Sequence, residues 1–234
     1  MDAAASGPMP RALLAHDSPE SLGDIAEELD ADGFDVESVS GTPAMLASAG
    51  AVPPDIVIVR SGIPDGPGLA GLQALREFSD AYVIIVIGEP DEVSTILALS
   101  MGADDVVVAG TSGRELAARA RAMLRRPRAA APVGGPFSVG GVSVDLLTRA
   151  ASAGGAALDL TRIEFDVLAV LAEAAPAVVA RGGLVERIWG PGWFPDDHVL
   201  DVHVSNLRRK LVAAGADASV VTARGVGFRL AVDD

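Results

Sequence analysis

The 234-residue chain has no cysteine, which removes any disulfide frame, Cys-ligated metal site or thiol nucleophile and leaves the redox compartment open. Lysine is almost missing as well: Lys210 is the one lysine beside seventeen arginines. No apolar run approaches the length of a membrane span, so a membrane is not an expected partner. Met1–Pro10 is short and Ala-rich and lacks the basic n-region and apolar core of a secretory leader. It reads as a disordered lead-in, and the cytoplasm is the expected compartment. No G-x-S-x-G and no phosphate-cradling loop is present, and His16, His198 and His203 are not spaced as a metal set. Neither an enzyme nor a bound metal or other cofactor is expected.

Positive charge is also scarce, and its distribution matters more than its total. The net charge is −14, which should repel a polyanion. Residues 1–126 carry 20 acids and 8 bases, whereas residues 127–234 carry 12 and 10. The repulsive field therefore belongs to the first half. Screening over about 8 Å at physiological salt leaves a local arginine cluster in the second half free to act.

That cluster sits in Asp201–Leu211. At helical spacing Val202, Val204, Leu207 and Leu211 form one apolar stripe, with Ser205, Asn206, Arg208, Arg209 and Lys210 largely outside it. A helix anchored on one side then offers hydroxyl, amide and guanidinium groups on the other, the groups that reach base edges and phosphates. Val220–Leu230 follows as two short β-type runs around Arg224-Gly225, a hairpin with an arginine at its tip. A basic helix followed by such a hairpin is a winged helix-turn-helix and points to double-stranded DNA.

Residues 11–126 alternate between apolar runs and helical patterns. The strands predicted are Arg11–Ala15, Phe34–Val39, Asp55–Val59, Tyr82–Ile87 and Asp105–Val108. The helices between and after them are Pro19–Ala31, Pro43–Ala49, Leu69–Phe78, Pro90–Met101 and Ser112–Arg125, with Ser18 as the first N-cap and Gly33 as the first stop. Runs such as Ile56–Val59 and Val83–Ile87 are apolar throughout, as parallel strands covered on both faces require. The fold class is α/β: a flavodoxin-like (βα)5 domain over 11–126, a Pro- and Gly-containing linker over 127–136, and a winged-helix domain over 137–234.

The C-terminal motifs Leu160-Thr161-x-x-Glu164-Phe165, Arg181 and Trp189-Gly190, with the helix and hairpin above, resemble the effector domain of OmpR/PhoB-type response regulators over roughly 137–232. The N-terminal half resembles the receiver domain of the same family. The resemblance rests on Asp32-Gly33-Phe34, Pro54-Asp55, Pro64-Asp-Gly66, Gly102-Ala-Asp-Asp105 and Arg114-Glu-Leu116. A working receiver needs an acid pair, a phosphoacceptor aspartate, a hydroxyl and a lysine. The matching positions here read His16-Asp17, Arg60, Gly88 and Ala109. No realignment supplies the lysine, because Lys210 lies in the other domain. The receiver is therefore expected to be atypical, neither phosphorylated nor Mg²⁺-binding, with an Arg60–Asp17 pair or simple charge satisfaction in place of the switch. The arginine, alanine and glycine bias suits a GC-rich genome, an actinobacterial one on this reading.

The resemblance implies the remaining roles. Helices Arg162–Ala172 and Arg181–Trp189 would support a recognition helix over Asp197–Ala214. Ser205 and Asn206 would face bases, His203 and Arg208 phosphates, Arg224 the minor groove and Thr222 the backbone, while Arg209 and Lys210 either join them or are solvated. Half-sites would be direct repeats about 10 bp apart. A homodimer is expected through the face of the fourth helix, fifth strand and fifth helix, with Asp104, Asp105, Glu115 and Arg119 at matching places and Thr95 and Ser100 departing. Trp193 and Phe194, in the Gly- and Pro-rich loop 190–195, either contact RNA polymerase or pack beneath the loop. The resulting expectation is a transcriptional regulator independent of aspartyl phosphate. The alternative is a regulator whose altered pocket, lined by His16 and Arg60, binds a small-molecule ligand.

Overall fold

A computed structural model describes residues 9–17, 22–60, 67–124, 137–190 and 197–232. Residues 1–8, Ser18, Pro64–Gly66, the linker 127–136 and the Trp193–Phe194 loop lie outside the described residues. The chain divides into two compact units, Met1–Leu124 and Arg125–Asp234.

The first unit alternates β1 (Arg11–His16), α1 (Gly23–Ala31), β2 (Asp35–Ser40), α2 (Gly41–Ala51), β3 (Ile56–Arg60), α3 (Pro67–Arg76), β4 (Tyr82–Ile87), α4 (Glu92–Ser100), β5 (Asp105–Val108) and α5 (Gly113–Leu124). The strands form one five-stranded sheet in the order β2-β1-β3-β4-β5, every pair parallel. This is the doubly wound, flavodoxin-like arrangement expected from the sequence. Ile56–Val59 and Tyr82–Ile87 are buried along their whole length, which is why those runs carry no polar alternation. Most element ends shift by a residue or two from their predicted places, and one boundary shifts further. α1 begins at Gly23 with Leu22 at its N-cap and no side-chain cap, so the Ser18-Pro19 signal does not start the described helix. Its end is as expected: Gly33 takes φ +81°, a left-handed conformation open to glycine, and lets Phe34 N–H reach Leu29 O at 3.1 Å.

Arg76, the last residue of α3, ties the entries of β4 and β5 together. Its guanidinium donates to Gly102 O at 2.9 and 2.7 Å, to Ala81 O, and to Asp104 Oδ2 at 2.7 Å. Asp104 is fully buried and its Oδ2 also accepts from Val83 N–H at 2.8 Å. A carboxylate so far from water is tolerable only with a cation and donors around it.

The second unit opens with a four-stranded antiparallel sheet, β6 (Phe137–Val139), β7 (Val142–Asp145), β8 (Ala150–Ala153) and β9 (Ala156–Ala157). Then come α6 (Arg162–Ala174), β10 (Val179–Ala180), α7 (Arg181–Trp189), α8 (Asp197–Ala213), β11 (Ala218–Ala223) and β12 (Gly227–Val232). β10, β12 and β11 pair in that order as an antiparallel wing. α6 packs against α7, α8 and β12. Its start is fixed by a capping box: Thr161 N–H donates to Glu164 Oε2 at 2.9 Å and Glu164 N–H to Thr161 Oγ1 at 3.4 Å. Gly227 is required by contact rather than conformation, since a Cβ there would lie 1.9 Å from Val179 O on β10.

Replacing Arg76 by alanine strips the buried Asp104 of its guanidinium partner. The expected cost is about 3 kcal/mol, read as an earlier denaturant midpoint for the first unit. Pairing Arg76→Ala with Asp104→Asn should recover a large part of the loss, because the buried charge goes too.

Candidate nucleic-acid interface and switch-point pocket

α8 has two faces, and the structure sets their boundary differently from the sequence pattern. Val199, Leu200, Val204, Leu207 and Leu211 are buried against the unit's core. His203, at 1% exposure, and Asn206, at 5%, lie on the same side. The ring of His203 sits 6.2 Å from that of Trp189 at the end of α7. The opposite face carries His198, Asp201, Val202, Ser205, Arg208, Arg209 and Val212, all exposed or half-buried. Two expectations are corrected. Val202 belongs to the outward face, because the 3.6-residue period runs from Val199 and Leu200 and carries it round to solvent. His203 and Asn206, expected on phosphate and base, are held inside by the same period. His198 and the half-buried Arg181 lie at this surface and were not singled out from the sequence as contacts.

The basic residues of α8 have distinct attachments. Lys210 Nζ donates to Glu164 Oε2 at 2.7 Å, so the lysine is not simply solvated; it fastens α8 to α6. Arg208 reaches across to the wing, donating from Nε to Val220 O at 2.7 Å and from Nη2 to Thr222 Oγ1 at 2.6 Å. Its guanidinium carbon lies 5.9 Å from the centre of the Phe228 ring. Arg181, at the start of α7, forks onto Asp201 of α8 at 2.7 and 3.0 Å. Arg209 is exposed and donates to Asn206 Oδ1 at 3.3 Å, which leaves most of its fork outward. Arg224 is exposed in the turn between β11 and β12, at the tip of the wing as expected. Ser205, Arg209 and Arg224 are therefore exposed, while Arg208 and Thr222 are joined to each other.

The other candidate site lies at the carboxyl ends of the parallel strands. His16 ends β1 and Arg60 ends β3, each one residue beyond the paired Ala15 and Val59. Gly88 follows β4, and Ala109 follows β5 with its N–H on Ile87 O at 2.6 Å. His16 is 5% exposed and Arg60 half-buried. Asp17 turns out to solvent and forms no ion pair with Arg60 among the described residues; Arg60 makes its contacts elsewhere. The Arg60–Asp17 lock is thus absent, since a carboxylate one residue past the strand is better hydrated than drawn inward. Among the described residues no three potential ligands cluster as a metal site. A guanidinium, an imidazole and one outward carboxylate do not fit Mg²⁺, which requires several hard oxygen ligands.

The residues expected at a dimer face are largely engaged within the chain. Asp104 is on Arg76, as above, and cannot meet a partner while it is fully buried; it points toward α3 rather than out from β5. Asp105, at 1% exposure, accepts from Arg119 at 2.9 Å, and Arg119 also holds Glu115 one turn back at 2.8 Å. Burial pushes the Asp105 carboxyl up to about 6, against the downward pull of the Arg119 guanidinium. Beside this chain of charges α4 exposes Val93, Ile96 and Leu97, at 72%, 38% and 40%. Thr95 turns its hydroxyl back to Asp91 O at 2.9 Å.

A flavodoxin-like domain followed by a winged helix with an outward basic face defines a two-domain, DNA-binding response regulator. Residues 12–121 match the response regulator receiver domain, and residues 155–230 match the transcriptional regulatory protein C-terminal domain. The chain belongs to the OmpR/PhoB family of transcriptional response regulators. It is 36% identical over 223 residues to the transcriptional regulatory protein PrrA of Mycobacterium tuberculosis, covering 94% of this chain and 96% of that one. It is 36% identical over 222 residues to the sensory transduction protein RegX3 of the same species, covering 93% and 98%. Two solved structures share the fold. A RitR mutant superposes with a TM-score of 0.77 at 21% identity, over 96% of this chain and 100% of that one. The response regulator DrrB, a Thermotoga maritima OmpR/PhoB homolog, does so at 0.50 and 24%, over 95% and 99%. No described helix is long and apolar enough to cross a membrane.

The raised Asp105 value carries a sign. A carboxyl whose folded value lies above its ordinary 3.8 favours folding most when protonated. That contribution is full below about pH 4 and is lost as pH rises through 6. Relative to Asp105→Asn, the native chain should gain on the order of 1 kcal/mol between about pH 7 and pH 5. Denaturant midpoints of the two chains at each pH check this. A native chain that loses stability relative to Asp105→Asn on acidification would contradict it.

Proposed function

We propose that this regulator binds its promoter DNA as a homodimer without any aspartyl phosphate, from a cytoplasmic pool. The observation that carries the reading is the content of the strand-end pocket: Arg60 where a receiver of this family holds the phosphoacceptor, Gly88 and Ala109 where it holds hydroxyl and lysine, and a pocket unfit for Mg²⁺. Acyl-phosphate formation needs a carboxylate nucleophile and hard oxygen ligands for the divalent cation that neutralises the phosphoryl oxygens, and among the described residues His16, Arg60, Gly88 and Ala109 supply neither.

On this reading the DNA contact is narrower than the residue types suggested. Ser205 and Arg209 face the major groove from the outward side of α8, with His198 toward its start. Arg208 acts jointly with Thr222, holding the wing at a fixed angle to α8 while offering its remaining donors to phosphate. Arg224 at the wing tip enters the adjacent minor groove. His203 and Asn206 orient the helix from inside and touch no base. The homodimer forms through α4, where Val93, Ile96 and Leu97 supply an apolar contact in place of the cross-subunit charges, because Asp105, Arg119 and Glu115 satisfy one another within a protomer.

The test is fluorescence anisotropy of a labelled fragment from the regulator's own upstream region, titrated with the untreated protein. Binding should be tight and cooperative and should not change when Mg²⁺ and a small phosphodonor are added. Binding that appears only with the donor would overturn the reading. Arg209→Ala and Arg224→Ala should each lower affinity for all sequences and reduce the salt slope by about one. Leu97→Glu should yield monomers by light scattering while leaving the fold intact, since the residue is exposed.

A further inference from the structure

The sheet order makes the gap between β1 and β3 the switch point of the fold, where the chain leaves β1 for β2 on one side and returns at β3 on the other. Crevices at such points, beyond the carboxyl ends of the strands, are where open α/β sheets place ligands. Here the two flanking strands end in His16 and Arg60. The imidazole is 95% buried, yet its Nδ1 is buried with no hydrogen-bond partner among the described residues. A buried polar atom left in this way opposes folding unless something fills its bonding direction. The same strand ends have room: a Cβ added at Gly88 would meet nothing within 4 Å, and Ala109 is only half-buried. Asp17, the carboxylate nearest in sequence, is exposed and does not pair with Arg60.

We propose that His16 and Arg60 form a binding site for a small oxyanion, the phosphate or carboxylate group of a small molecule, held without covalent chemistry. His16 donates a hydrogen bond from Nδ1–H to one oxygen. Arg60, whose planar fork offers five donors, receives the anion side-on. The space over Gly88 and Ala109 admits the rest of the molecule. The charge preference of the pocket is thus the reverse of a Mg²⁺ site: bases where a cation holder has acids. The proposal rests on the reading that phosphotransfer has been lost, but its failure would leave that reading standing, because DNA binding indifferent to a phosphodonor does not require a ligand.

The experiment is imidazole NMR of the full chain, in which only His16, His198 and His203 contribute. Sodium phosphate and sodium acetate are the two probes, each balanced with sodium chloride to constant ionic strength. A saturable shift of the His16 signals with a dissociation constant of ~1 mM or tighter is expected for at least one probe. The probe that binds more tightly decides between phosphate and carboxylate. Arg60→Gln should weaken the response roughly tenfold or more, as loss of a charge-assisted fork requires. Gly88→Leu, placed in open space on ordinary backbone, should abolish it while preserving the remaining spectrum, and it serves if Arg60→Gln fails to fold. The proposal is overturned if His16 does not respond to either probe, if the response survives Arg60→Gln and Gly88→Leu unchanged, or if only the effector histidines move.

Discussion

One buried contact organises the effector unit: the Lys210 ammonium on the Glu164 carboxylate at 2.7 Å, with Glu164 only 2% exposed. Glu164 also caps the start of α6 through Thr161, so a single carboxylate joins the helix N-terminus to the recognition helix. Removed from water, that charge needs both partners, and the geometry that satisfies it fixes the rotation of α8 about its own axis. The rotation turns Leu207 and Leu211 inward and leaves Ser205 and Arg209 outward. Arg208 then falls where it can reach Val220 and Thr222, and the wing inherits its position from the helix. The chain's one lysine is therefore structural, in the domain that binds DNA. The domain that would need a lysine for signalling has none.

The receiver unit uses charge in the same inward way. Arg76 with Asp104, and Arg119 with Asp105 and Glu115, satisfy acids within the protomer. Meanwhile the pocket at the strand ends has exchanged acids and a lysine for His16, Arg60, Gly88 and Ala109. On the reading proposed above, both changes separate the domain from the chemistry of a reversible switch. What they leave intact is the scaffold, because the core of Ile, Val and Leu on β1, β3 and β4 is indifferent to the identity of strand-end residues. On that reading a receiver loses phosphotransfer and still folds, and still presents α4.

Much of this was legible in the sequence. The five receiver strands match their predicted spans to within a residue at each end. The continuous aliphatic runs of β3 and β4 are the plainest, since a doubly covered parallel strand has no polar alternation to blur it, whereas the partly exposed edge strand β2 is mixed, Asp35-Val-Glu-Ser-Val-Ser40. Gly33 and the Arg224-Gly225 turn were equally plain. α1 was not, because Ser18-Pro19 imitates a helix start while the described helix begins at Gly23 without a side-chain cap. The inward placement of His203 and Asn206 is not legible from residue type or from the resemblance, because only a 3.6-residue period anchored on the buried Val199 and Leu200 turns these polar side chains inward. Asp104 and Asp105 look like surface charges in isolation, and nothing local announces their partners on α3 and α5. Strands β6 to β9, of two to four residues each, are too short to leave a clear alternation, though Gly140-Gly141 between Phe137-Ser-Val139 and Val142-Ser-Val144 marks the first turn. The T-x-x-E of Thr161 and Glu164 was available as a capping box, but that Glu164 would also take Lys210, 46 residues on, is a tertiary fact.

The central claim is that the receiver cannot form an aspartyl phosphate, and the mass of the intact chain tests it most directly. The native protein is incubated with Mg²⁺ and a small phosphodonor, alongside a regulator of the family with the full acid, hydroxyl and lysine set. The account predicts that the control gains the mass of one phosphoryl group and that this chain's mass does not change. A hydroxylamine-labile adduct of that mass on this chain would contradict it.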